Sequence, residues 1–72
     1  MTQPSDKLKV TVNGEPIALR QEITLSGLID AMGFKSRAIA VELNEKIIPR
    51  DKFDRALNAG DRIEVVTLVG GG

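Results

Sequence analysis

Hydrophobic and polar residues alternate near the start of the chain. In KLKVTVN, residues 7–13, the leucine and both valines share one face of an extended chain, and polar side chains lie between them. This period of two predicts a half-buried β-strand. Asn13 and Gly14 follow, a pair that accepts the positive φ angles of a tight hairpin turn. IALR, residues 17–20, then resumes the alternation, so the first part of the chain predicts a β-hairpin.

The next apolar residues recur with a helical period. They occupy positions i, i+3, i+4 and i+7 of one helix face: Leu25, Leu28, Ile29 and Met32. Thr24 stands at the N-cap position, where its hydroxyl accepts a hydrogen bond from a free N–H. Gly33 follows the last turn, as is typical of a left-handed C-cap. Gly27 inside the segment costs roughly 1 kcal/mol relative to alanine, so we expect this helix to depend on packing against a sheet.

The second half of the chain predicts three further strands. AIAVELN, residues 38–44, alternates again, and a short turn leads to KIIP, where Pro49 favours the edge of a sheet. RDKFDRALNAGD has weak helical character, with Phe53 predicted to fill the core, and RIEVVTLV, residues 62–69, is the last strand. A sheet with one covering helix is an α+β architecture.

The last strand is apolar on both of its faces. Ile63 and Val65 continue one alternating face, whereas Val66 and Leu68 fall on the other. If both faces pack into a core, this is a fully buried central strand. Because one helix covers only one face, the alternative is an exposed apolar patch that serves as a docking surface. The sequence leaves both interpretations open.

The amino-acid composition argues against several classes of function. The 72 residues suffice for one small domain, and Lys+Arg and Asp+Glu balance at 10 each. With 3% aromatic residues, the chain has neither the basic excess nor the stacking side chains of a nucleic-acid binder. No apolar run is long enough for a transmembrane helix, and MTQPSDK has no secretory pattern. We therefore expect a cytoplasmic protein that binds neither nucleic acid nor membrane.

The chain also lacks the usual side chains of catalysis. It contains no cysteine and no histidine, so a thiolate nucleophile, an imidazole base and the common zinc ligands are all absent. Asp51 and Asp54 lie beside Arg50 and Arg55, and mixed charges of this kind are typical of a solvated surface. We expect no metal site and no side-chain catalysis.

Residues 70–72 are three glycines, which read either as a loose end or as the working part of the molecule. Three extended residues reach about 10 Å beyond the domain, and without Cβ atoms they can enter a narrow channel. A phosphate-binding loop needs a helix after the glycines, and nothing follows Gly72 in this sequence. The glycines therefore predict a flexible tail over 70–72. The sequence as a whole divides into a lead-in over 1–6, a domain over 7–69 and this tail.

Several of these segments together resemble the ThiS-type sulfur carrier proteins of thiamine thiazole biosynthesis. They are VNGE in the first hairpin, AVELN, IIPRDKF, the L-x-x-GD-x-IEVV segment and the final VGGG. The resemblance runs from Leu8 to Gly72 and is most specific in Ile48-Pro49-Arg50 and in residues 60–72. It implies the ubiquitin-like β-grasp fold, a mixed sheet wrapped around one helix. In that fold the first and last strands are parallel neighbours at the centre, which would explain the apolar last strand.

The resemblance also implies a mechanism. A ThiF-type enzyme would adenylate the Gly72 carboxylate with ATP and magnesium, and sulfur from a cysteine desulfurase persulfide would convert the adenylate to a thiocarboxylate. Thiazole synthase would receive the sulfur. Gly70 and Gly71 would form the slender neck of the tail. The chain would then be a protein co-substrate, not an enzyme, that binds no cofactor itself and is monomeric when free.

Val66, Leu68 and Arg50 are the candidate partner surface. Two related functions use the same activated glycine and stay open: sulfur transfer for molybdopterin synthesis, and conjugation of a ubiquitin-like modifier through Gly72. A plain binding module of the same fold is a third alternative.

Overall fold

The computed structural model describes residues 7–68, and within this range the chain forms a five-stranded sheet and one α-helix. The strands are β1 Lys7–Val12, β2 Glu15–Arg20, β3 Ile39–Leu43, β4 Lys46–Ile48 and β5 Arg62–Thr67, and the helix is α1 Leu25–Ala31. Two short 3₁₀ helices span Ser36–Ala38 and Arg50–Lys52. The predicted lead-in at 1–6 and tail at 70–72 lie outside the described residues.

The strand order in the sheet is β2-β1-β5-β3-β4. β1 and β5 are parallel neighbours in the middle, with Thr11 opposite Arg62 and Val12 opposite Ile63, whereas the other pairs are antiparallel. β4 lies at one edge of the sheet, as predicted from the proline that follows it. The arrangement confirms the α+β class and the central parallel pair that the sequence resemblance implied.

The tight turns follow the sequence prediction. Asn13 and Gly14 join β1 to β2 with φ angles of 49° and 85°, and Asn44 and Glu45 join β3 to β4 at 52° and 72°. Positive φ at both central residues matches the right-handed twist of the strands on either side. Asparagine tolerates this conformation better than most side chains, which explains why it opens both turns.

The helix begins where the sequence predicted but ends one residue earlier than the apolar stripe. The Thr24 Oγ1 accepts a hydrogen bond from the Gly27 backbone N–H at 3.0 Å, and Leu25, Leu28 and Ile29 are buried. Met32, the last residue of the stripe, is the C-cap and is 39% exposed, so the buried part of the stripe ends at Ile29. The chain leaves the helix at this point, because Gly33 takes a φ of 84°.

The core lies between α1 and the inner face of the sheet. It is aliphatic except for Phe53, which is 6% exposed, as predicted for a core residue. The weak helical character around Phe53 yields only the 3₁₀ helix Arg50–Lys52. The segment after it instead accepts hydrogen bonds from the free backbone N–H groups at the start of α1. The Ser26 N–H donates to the Phe53 carbonyl at 2.7 Å, and the Leu25 N–H donates to the Arg55 carbonyl at 2.9 Å.

Candidate functional site

The outward side of β5 carries the apolar residues whose role the sequence left open. Ile63 and Val65 are 0% and 7% exposed and point into the core, whereas Val66 and Leu68 are 58% and 53% exposed. The strand is central in the sheet, yet only one of its faces is covered by α1. The structure therefore decides for an exposed patch and against a strand buried on both faces.

The strand register shows what surrounds this patch on the side of the sheet away from α1, which we call the outer face. Ala40 of β3 lies opposite Val66, and Glu42 lies opposite Glu64. On the next strand Ile47 lies opposite Glu42 and is 74% exposed. The outer face between β4 and β5 thus combines exposed apolar side chains with two carboxylates.

Ile47 belongs to this surface and was not identified from the sequence. The signal was available, because adjacent residues of a strand point to opposite faces. Ile47 and Ile48 cannot both reach the core, and Ile48 is the buried one at 9% exposure.

Asn13 fixes β5 beyond the end of β1. The Asn13 backbone N–H donates to the Ile63 carbonyl at 2.8 Å. Its side-chain Oδ1 accepts from the Val65 N–H at 2.8 Å, and its Nδ2 donates to the Val65 carbonyl at 3.4 Å. The side-chain amide thereby takes the place that a further β1 residue would occupy beside β5. This contact was not predicted, because the two residues are 52 positions apart in the chain.

On its other edge, β5 is hydrogen-bonded to β3 and to the residue before it, as far as Leu68, the last described residue. The Leu68 N–H donates to the Ala38 carbonyl at 2.8 Å, one position past the β3 pairing. The chain therefore enters residues 69–72 directly from a strand that is hydrogen-bonded to the sheet. Gly70, Gly71 and Gly72, the predicted neck and attachment site, lie outside the described residues and stay predictions.

Arg50, the third residue of the predicted partner surface, lies on a different element. It is exposed and begins the 3₁₀ helix that follows β4, whereas Val66 and Leu68 belong to β5 and its end. In the sheet order β3 separates β4 from β5. The structure groups Val66 with Leu68 on one surface, and the role of Arg50 stays a prediction.

Among residues 7–68, the other acidic side chains form no candidate metal centre. Asp51 and Asp54 are exposed, as predicted for a solvated surface. Across residues 7–68 no group of three or more His, Cys, Asp or Glu side chains is arranged to hold a metal ion. Asp61 is buried, and its carboxylate is engaged by the Asn44 Nδ2 at 3.0 Å and the Asn58 N–H at 2.8 Å. This carboxylate locks the turn before β5.

Over the same part of the chain, no helix has the length and apolar character needed to cross a membrane.

Comparison with known proteins adds to this geometry. A family model described as the ThiS family matches residues 5–72. The sulfur carrier protein ThiS of Thermus thermophilus is 41% identical over 64 residues, which cover 88% of this chain and 98% of that protein. The crystal structure of the thiamine biosynthesis protein ThiS from Geobacter metallireducens matches with a TM-score of 0.76 at 29% identity, covering 90% of this chain and 100% of that one. The match confirms the predicted ubiquitin-like β-grasp fold.

One relative is much longer than this chain. The thiazole synthase of Paramagnetospirillum magneticum is 36% identical over 66 residues, which cover 90% of this chain but 20% of that protein. A domain similar to this one is thus part of a larger polypeptide there.

Proposed function

The chain belongs to the ThiS family, and on this premise we propose that it carries sulfur for thiamine biosynthesis as a thiocarboxylate on Gly72. The observation that carries the proposal is the continuity between β5 and the glycines. The strand is hydrogen-bonded to the sheet up to Leu68, and residues 70–72 are all glycine. Four extended residues past Leu68 reach about 13 Å, far enough for Gly72 to enter a partner's active site while the domain stays outside.

The chemistry requires activation of Gly72 before sulfur can bind. An ionised carboxylate does not accept a nucleophile, so one of its oxygens first attacks the α-phosphorus of ATP and pyrophosphate leaves. The terminal sulfur of a persulfide then attacks the carbonyl carbon, and AMP leaves with the electron pair of the C–O bond. A second thiol cleaves the S–S bond of the resulting acyl disulfide and is itself oxidised to a disulfide. The thiocarboxylate that remains is a soft nucleophile suited to sulfur donation.

In this proposal the partners supply every reagent. A ThiF-type enzyme binds ATP and magnesium, and a cysteine desulfurase provides the persulfide. The chain supplies the glycine terminus and the surface by which the partners hold it. Its lack of histidine and cysteine is consistent with the role of a co-substrate that is charged and discharged.

Thiazole synthase is the proposed sulfur acceptor. Support comes from the Paramagnetospirillum magneticum thiazole synthase, whose own polypeptide includes a region similar to 90% of this chain. A domain that is covalently joined to an enzyme in one organism and separate in another commonly acts on the same enzyme in both cases, because joining raises its effective concentration at an existing site.

The test is the intact mass of the chain after incubation with the ThiF-type enzyme of the same genome, ATP, magnesium, a cysteine desulfurase, cysteine and a reducing thiol. We expect an increase equal to the exchange of one oxygen for sulfur, located at Gly72 by fragmentation. A chain that lacks Gly72 is the matched control and should show no increase. An unchanged mass, with an enzyme that forms AMP in the presence of another carrier, would contradict the proposal. Adducts with lysines of other proteins would favour a protein modifier instead.

A further inference from the structure

Two carboxylates face each other on the outer face. Glu42 of β3 and Glu64 of β5 are directly opposed in the antiparallel register, and both are exposed. Opposed side chains in such a pair have Cβ atoms about 4.5–5.5 Å apart, and like charges at these positions destabilise the sheet. Such a pair does not stabilise the sheet, so the stability of the free domain gives no reason for its presence.

Apolar side chains flank the carboxylate pair. Ile47, at 74% exposure, lies opposite Glu42 on the β4 side. Val66 and Ala40 form the next opposed pair along the strands towards the tail. Exposed apolar side chains next to the pair are a feature of surfaces that bind a partner, and a charge pair becomes stronger where a partner excludes water from it. In the same face Arg62 precedes Glu64 by two strand positions.

We propose that the Glu42–Glu64 pair binds an arginine or lysine side chain of thiazole synthase, with Ile47 and Val66 packing against apolar residues around it. This inference rests on the proposed function. A cation between the carboxylates replaces their repulsion with two charge-assisted hydrogen bonds, and the planar guanidinium of arginine suits two acceptors best. The patch precedes the tail on β5, so one partner can cover the surface and receive Gly72 together.

Thiazole synthase is chosen as the occupant because the thiazole synthase relative contains a similar domain within its own chain. Charge complementarity then selects the type of residue on that partner, since two opposed carboxylates favour a basic side chain and disfavour an acidic or neutral one.

The proposal predicts opposite effects on stability and on binding. Glu42→Gln, Glu64→Gln and the double variant should raise the melting temperature of the free chain, because each removes a like-charge contact. The same variants should raise the Kd for the thiazole synthase of the same genome, about tenfold or more for the double variant. A merely structural role for either glutamate would change stability and binding in the same direction.

Calorimetric titration of the full chain into thiazole synthase is the measurement. Glu15→Gln on β2 is the matched control, because it makes the same change of charge at an exposed position away from the pair, and its Kd should equal that of the unmodified chain. Ile47→Ser should also weaken binding without lowering the melting temperature. Raising the salt concentration should weaken the binding of the unmodified chain to thiazole synthase more than that of the double variant, because salt screens the interaction between charges.

Three results would overturn the inference. The first is an unchanged Kd for the double variant. The second is a lower melting temperature for the Glu→Gln variants, which would show that Arg62 already neutralises the pair within the chain. The third is a lack of binding between the unmodified chain and thiazole synthase. Each is distinguishable from failure of the proposed function, since formation of the thiocarboxylate is read from the mass of the unmodified chain with the adenylating enzyme.

Discussion

At the scale of single residues, Asn13 has two structural roles, and the sequence predicted only one of them. The sequence predicted its role in the hairpin turn, because Asn-Gly is a short-range signal. Its side-chain bonds to the Val65 backbone join the turn to a strand far along the chain. No local pattern encodes such a partner, since the strand order decides which backbone lies beside the amide.

Asn13→Gly separates these two purposes. Glycine keeps the positive φ of the turn but loses both side-chain hydrogen bonds, so the free energy of unfolding should fall by about 1–2 kcal/mol. The Val65 amide should exchange with solvent faster, measured by hydrogen exchange. Asn13→Asp is the matched control, because its carboxylate can still accept from the Val65 N–H. Unchanged protection of Val65 in Asn13→Gly would show that the Asn13 side chain does not hold β5.

Gly71→Val tests the predicted neck of the tail. A branched Cβ should prevent entry into a narrow channel and lower the rate of adenylation about 100-fold, since small misplacement of reacting atoms has effects of this size. The melting temperature should stay the same, because chain ends beyond the packed domain add little stability. The rate is measured by ATP–pyrophosphate exchange, with Gly71→Ala as the graded control. A normal rate of adenylation of the Gly71→Val variant would show that the tail does not need a slender residue at this position.

At the scale of elements, period and turn chemistry predicted most of the structure. Strands with strict alternation and the helix with its Thr24 cap were found where expected, because these signals act between near neighbours in the chain. The segment at 50–57 was harder to predict, because after a single turn of 3₁₀ helix its backbone bonds to residues at and just before the start of α1. Such pairing depends on tertiary contacts that override a weak helical propensity.

Leu28 and Met32 give a direct test of where the packed face of α1 ends. Both belong to the apolar stripe in the sequence, but Leu28 is 1% exposed and Met32 is 39% exposed. Leu28→Ala should lower the free energy of unfolding by about 2–4 kcal/mol through the cavity that it leaves. Met32→Ala should cost less than about 1 kcal/mol. Urea denaturation measures both, and equal losses would place Met32 in the core after all.

At the scale of the whole molecule, local patterns could not supply the strand order. β1 and β5 are parallel neighbours although residues 13–61 separate them in the chain, and only the resemblance of several motifs to a known family predicted this pairing. The same limit applies to the site. Val66 and Leu68 could be named from the sequence, but their exposure depends on the single helix covering the opposite face. The Glu42–Glu64 pair became visible only through the register of β3 with β5, whereas the alternation of side chains along β4 already required one of its two isoleucines to point outward.

The exposed patch on the outer face should matter for partners and little for folding. Val66→Ser and Leu68→Ser replace side chains that are 58% and 53% exposed, so the double variant should lose no more than about 1 kcal/mol of unfolding free energy. Its KM in adenylation should rise about tenfold, because a docking contact is lost, while kcat changes little. Met32→Ser, an exposed apolar residue on the helix layer, is the matched control and should leave KM unchanged. Steady-state ATP–pyrophosphate exchange measures both constants. An equal rise of KM for Met32→Ser would show a general effect of lost surface hydrophobicity, and an unchanged KM for the β5 variant would remove Val66 and Leu68 from the partner surface.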